Sequence, residues 1–196
     1  MRHILIPTII CIATLLLAAC GDADYAPKPS TYLRIDMPEH IYIPCDTAIL
    51  PFTFERPTHA QICIKKDTPT EKYIDITYPR YANAVIYLTY KHIHDVEALQ
   101  HQVDTSYRLL SQHFDYSTGV RDQMIDYPTK RVYTTTYQIT GQRAASPYQF
   151  YATDSLNHFL RGSLFFGVTP NNDSLAPVID YIEADINHLL ESLTWR

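Results

Sequence analysis

Residues 148–168 read YQFYATDSLNHFLRGSLFFGV. Tyr148–Ala152 and His158–Val168 are rich in aromatic and branched residues, the composition of strands. Thr153-Asp154-Ser155-Leu156-Asn157 between them is short and polar, which reads as a hairpin connection. A loop this short can only join antiparallel neighbours, because a parallel pair needs a crossover of a dozen residues or more. Working outward, Arg131–Thr140 is a further strand on the N-terminal side. Earlier in the chain, Tyr32–Met37, Phe52–Glu55, Gln61–Lys65, Tyr73–Thr77 and Ala84–Tyr90 show the same patterning. In the last of these, Ala84, Ile86, Leu88 and Tyr90 share one face, while Val85, Tyr87 and Thr89 share the other. Two apolar or amphipathic faces predict a central strand.

Two segments change period. Across Asp95–Phe114, Val96, Leu99, Val103, Leu110 and Phe114 form a helical stripe, with Asp95 and Glu97 where the helix dipole favours acids and Gly119 beyond its end. Near the C-terminus, Asn172-Asp173-Ser174 reads as a cap, with Pro177 in the first turn. Val178, Ile179, Ile182, Ile186, Leu189, Leu190 and Leu193 then make a wide apolar face. Strand runs with two segregated helices predict an α+β fold: one antiparallel β-sheet covered by two helices. The order is loosely similar to the PsbP/Mog1-type sandwich, a likeness of fold that carries no function.

Composition narrows the function classes. The chain has 196 residues, 46% of them hydrophobic and 19% charged, with 16 Tyr and 13 Pro against 5 Gly. Such a chain is globular, neither disordered nor fibrous. Its 16 Lys and Arg against 21 Asp and Glu give a net charge of −5, which argues against a nucleic-acid partner. The tyrosines fit half-buried sheet faces, and an exposed aromatic sheet face is the candidate binding surface.

The N-terminus is an address. After Met1-Arg2-His3, an apolar run from Ile4 to Ala19 is too short to span a bilayer. It ends Leu17-Ala18-Ala19-Cys20, which looks like a bacterial lipobox. Residues 1–19 are then a lipoprotein signal peptide. Cys20 carries the lipid, palmitate-type acyl chains that anchor the protein in a membrane. Residues 20–31 (CGDADYAPKPST) make a tether, and residues 32–196 a single α+β domain. Cys45 and Cys63 are left in a compartment that permits disulfides. They form either a bridge contributing about 3 kcal/mol or two separate thiols.

Chemistry-bearing motifs are sparse. His92, His94, Glu97 and His101 straddle a strand-to-helix junction and read as solvated, so no metal is expected. Asp154, Ser155 and His158 invite a hydrolase reading, but no G-x-S-x-G elbow accompanies them, and Asp and Ser are what a turn requires. No P-loop, dinucleotide fingerprint or EF-hand occurs, so no cofactor is expected and no catalytic set is assigned.

Further residues carry a resemblance. They are Pro27-Lys28-Pro29 with Tyr32-Leu33-Arg34, Pro51-Phe52-Thr53-Phe54-Glu55, Tyr78-Pro79, the run Ala84–Lys91, and above all Gly141–Phe166 (GQRAASPYQFYATDSLNHFLRGSLFF). With the lipobox and the Leu193-Thr194-Trp195 ending, the chain resembles the gliding motility-associated lipoprotein GldD family of the Bacteroidota along nearly its whole length. The resemblance implies a cell-envelope lipoprotein needed for gliding motility and the associated type IX secretion, with no known enzymatic activity and no cofactor. The expected location is the outer membrane, facing the periplasm, with other gliding or secretion envelope proteins as partners. The expected role is a non-catalytic binding or assembly module. Its candidate surface comprises Arg143, Ser146, Gln149, Thr153, Asp154, Ser155, His158 and Arg161. The alternatives are an envelope hydrolase using Asp154, Ser155 and His158, and a ligand- or glycan-binding lipoprotein on the tyrosine-lined face.

Overall fold

A computed structural model describes residues 37–45 and 48–196. The signal peptide, Cys20, the tether and all of the expected strand Tyr32–Met37 except Met37 lie outside the described residues.

Among the described residues, ten strands and two α-helices follow in the order β1 (Tyr42–Cys45), β2 (Phe52–Pro57), β3 (Gln61–Asp67), β4 (Glu71–Tyr78), β5 (Ala84–His92), α1 (Val96–Ser111), β6 (Gly119–Tyr127), β7 (Val132–Thr140), β8 (Tyr148–Thr153), β9 (His158–Phe165), α2 (Asn172–Ser192) and β10 (Thr194–Trp195). Seven strands form one antiparallel sheet in the order β3-β4-β5-β9-β8-β7-β6. A smaller sheet has the order β1-β2-β10. The chain thus lays down two meanders, β3 to β5 and β6 to β9, joined where β5 pairs with β9. That seam matches Ile86 with Leu164 and Leu88 with Gly162. The α+β class is as the periodicities predicted, with β5 and β9 central.

Alternation decides the two faces of the large sheet. Ile74, Ile76 and Tyr78 of β4, Ala84, Ile86, Leu88 and Tyr90 of β5, and Tyr148, Phe150 and Ala152 of β8 point to one side. There they meet Phe52 and Phe54 of the small sheet and the apolar stripe of α2. Each large side chain buried here contributes roughly 1.5–3 kcal/mol of apolar burial. On the opposite face, Leu110 of α1 closes a smaller cluster with Ile139 and Ala144, and Tyr137 packs beside it.

Several expectations need correction. Helix α1 starts as read, with Asp95 accepting from the Ala98 N–H at 2.7 Å. Its apolar stripe is mostly not buried, however: only Ser106 and Leu110 are buried, and Val96 is 77% exposed. Phe114 leaves the helix for a short 3₁₀ turn, and Gly119 opens a strand. Helix α2 begins at Asn172, so Asn172, Asp173 and Ser174 lie inside it and Pro177 falls beyond the first turn. The side chain of Asn172 does not cap; it donates to the carbonyls of Gly141 and Ala144 at 2.8 and 3.0 Å. Cys45 and Cys63 are not bridged to each other. The first is buried on β1 of the small sheet and the second exposed on β3 of the large one, and separate sheets hold them apart.

Candidate functional site

The eight surface candidates separate in space and in role. Arg143 is exposed in the loop before β8, beside a shallow cavity shared with Tyr116 and Pro170. Ser146 is wholly buried. Thr153, Asp154, Ser155 and His158 build the β8–β9 turn. Asp154 Oδ1 accepts from the backbone N–H groups of Leu156, Asn157 and His158 at 2.8–2.9 Å. Burial alone would push the Asp154 carboxyl up, but these N–H donors and the nearby His158 outweigh it and hold the carboxyl below its ordinary range. Thr153 Oγ1 donates to the His158 carbonyl and accepts from the Ser155 N–H. Ser155 occupies the left-handed region at φ 66°.

The hydrolase arrangement on these residues does not form. The Asp154 oxygen that accepts is committed to backbone donors. His158 Nδ1 is 2.8 Å from the Tyr90 hydroxyl, and its ring lies flat on Trp195, 4° from parallel at 5.0 Å. Burial keeps the His158 imidazole below its usual value despite the Asp154 charge, with His92 adding to the effect. Turn chemistry and core packing use all three residues.

A different constellation gathers at the end of α2. Tyr181, Asp185 and His188 are spaced four and three apart and so share one side of the helix. Facing them are His40, just before β1, and Tyr42 on β1. Asp185 Oδ1 lies 2.7 Å from His40 Nδ1 and accepts from the Tyr42 hydroxyl at 3.0 Å. A second carboxylate–imidazole pair joins Glu55 of β2 to His188 at 2.6 Å. The rings of Tyr181, His40, Tyr42 and His188 form one continuous stack, with centroid separations of 4.2, 5.9 and 3.6 Å. Next to it, His59 in the β2–β3 turn sits among Tyr78, Tyr81 and Tyr181, each 5.6–5.7 Å away.

This cluster holds unmet hydrogen-bonding capacity. Two buried polar atoms here, His59 Nε2 and Tyr181 OH, have no partner among the described residues, while the Tyr78 hydroxyl bonds to the buried Asp185 carboxyl. A buried polar group that finds no partner costs about 1–3 kcal/mol, so the two mark this cluster as a candidate site. Burial, and then the charge of Asp185, push the Tyr78 and Tyr42 phenols far up and the Tyr181 phenol up to about 12. All three are therefore intact O–H groups at neutral pH. Burial also holds His59 below its usual value, against the opposing pull of Asp185. Adjoining them is a cavity of ≈ 450 Å³ lined by Pro38, His59, Gln61, Tyr78, Pro79, Arg80 and Tyr81. That is the size of a small-molecule or side-chain site.

The sequence reading missed this cluster because its members lie far apart in the chain, from His40 to His188. One signal was present: Asp185 interrupts the apolar stripe between Ile182 and Ile186. It is 2% exposed, and a carboxyl buried in a helix's core face needs a reason.

Fold and site together define an α+β domain with an aromatic-walled polar cavity at the open end of its core. The model of the gliding motility lipoprotein GldD family matches residues 22–195, and the chain belongs to that family. It is thus a gliding motility-associated lipoprotein of the cell envelope, held there by lipid, and its family is not a known enzyme family. No helix among the described residues is long and apolar enough to cross a membrane. No curated protein matches the chain.

Proposed function

We infer that the protein is a non-catalytic binding or assembly module of the gliding apparatus and its associated type IX secretion. In this reading Cys20 is acylated after removal of residues 1–19, and the tether presents the domain to the periplasm from the outer membrane. The observation that carries the reading is the cluster of buried phenols, imidazole and the Asp185 carboxyl beside the 450 Å³ cavity, with His59 Nε2 and Tyr181 OH left without a partner among the described residues. Their chemistry favours a hydroxyl-rich, glycan-type ligand. Phenols and imidazole can donate or accept, and the Asp185 carboxyl accepts.

The test is complementation of a strain lacking the gene. Asp185→Asn and Tyr181→Phe keep size and shape, so both proteins should accumulate with melting temperatures near that of the wild type while gliding or secretion is lost. Ser155→Ala should complement fully. Normal spreading and secretion with Asp185→Asn would place the function elsewhere. Normal behaviour of the deletion strain itself would remove the envelope role.

A further inference from the structure

Arg161 of β9 and Gln149 of β8 lie on the other face of the large sheet, remote in role from the Asp185 cavity. Arg161 stands opposite Thr89 and Tyr151, while Gln149 stands opposite Ser163. Arg161 is half-buried, and its Nη2 donates to Gln149 Oε1 at 2.6 Å. Among the described residues no carboxylate pairs with it, although Lys65, Lys66, Lys72 and Lys91 on the same sheet all have acidic partners. Gln149 is 2% exposed, and its Nε2 has no partner among the described residues. A guanidinium sunk into a protein without a counter-charge is costly, and a dry amide donor beside it adds to the cost. The unpartnered Gln149 Nε2 is a donor, and the charge beside it is positive. What the place lacks is an acceptor bearing negative charge.

The charge balance fixes which acceptor. The site holds one positive charge, because burial, and then the repulsion from Arg161, keep nearby His113 below its usual value and hence neutral at pH 7. A single guanidinium balances a monoanion, and its planar fork matches a carboxylate in two parallel hydrogen bonds. A phosphate dianion would leave excess charge. Next to the site the sheet presents an aromatic pair, Tyr87, 45% exposed, and Phe165, with centroids 5.8 Å apart. An arginine beside exposed aromatic rings is the composition of a protein-binding hot spot.

We propose that Arg161, positioned by Gln149, takes one carboxylate, presented by an acidic side chain of a partner protein that docks over Tyr87 and Phe165. The partner supplies the counter-charge that Arg161 does not find among the described residues.

Substituting the missing charge tests this. In Gln149→Glu the carboxylate keeps the contact to Arg161 and adds the counter-charge. Purified full-length Gln149→Glu should melt about 3 °C or more above the wild type. In cells the same folded protein should fail to support gliding or secretion, because its receptor is filled from within. Sodium acetate, compared with sodium chloride at equal ionic strength, should raise the melting temperature of the wild type and leave Gln149→Glu and Arg161→Met unmoved. Arg161→Met should itself be at least as stable as the wild type. A less stable Gln149→Glu, or an acetate effect equal to that of chloride on the wild type, overturns the receptor. A stable Gln149→Glu that supports normal gliding and secretion leaves no partner to bind there, and overturns the proposal as well.

Discussion

At the residue scale, side chains that looked reactive are occupied by structure. Asp154 is the clearest case: one carboxylate oxygen takes three backbone N–H groups and closes the β8–β9 turn. Hydrogen bonds to a charged group each carry about 1.5–3 kcal/mol, and those sharing one acceptor oxygen are not additive. Asp154→Ala should therefore cost about 2–3 kcal/mol in thermal or urea unfolding, and Asp154→Asn clearly less, since it retains an acceptor oxygen. The reverse holds at Asp185 and Gln149. Both are buried, and what each side chain does depends on residues far from it in the sequence. Turn chemistry could be read from five consecutive residues. Missing partners appear only once distant segments have been brought together.

At the element scale, most strands were legible, the edge strand β3 among them, and three were not. β5 announced itself by alternation and β8 by its aromatic residues, and neither lies at a sheet edge. β6 (GVRDQMIDY) went unseen because it is an edge strand with little buried side chain, so no apolar period marks it. β1 contains Pro44 and β10 has two residues, and neither leaves a pattern long enough to register. Gly162 shows an element-level constraint of another kind. It stands across from Phe150, and a Cβ there would sit 2.1 Å from that ring. The close approach of β8 and β9 depends on this missing atom. Gly162→Ala forces a fully buried Phe150 off its position, so unfolding should show a loss of about 1–3 kcal/mol. Combining it with Phe150→Leu should cost less than the sum of the two single changes.

At the scale of the whole molecule, three histidines set the acid limit. His59, His113 and His158 all lie below their ordinary value of 6.5 in the folded state, each chiefly by burial. Below about pH 6.5 the unfolded chain therefore binds more protons than the folded one. Stability from these groups is whole above that pH and is lost as the pH falls through it. Asp154 adds a second loss further down, as the pH falls below the ordinary carboxyl value of 3.8 towards its depressed folded one. The melting temperature should fall between pH 7.5 and 5.5, and His59→Gln with His113→Gln should flatten that slope. An unchanged slope in the double variant would assign the pH dependence to other groups.

By itself the sequence determined the α+β class, the central strands, the turn at residues 153–157, the family and the expected address at Cys20. Each of these is written in local periodicity or in a contiguous motif, where the physics acts between near neighbours. Only the tertiary structure decided the sites. It set His40 on Asp185 across 145 positions of sequence, left Arg161 facing a neutral amide, and separated Cys45 from Cys63. Satisfaction of a buried polar group depends on everything folded around it, and no local pattern encodes that sum.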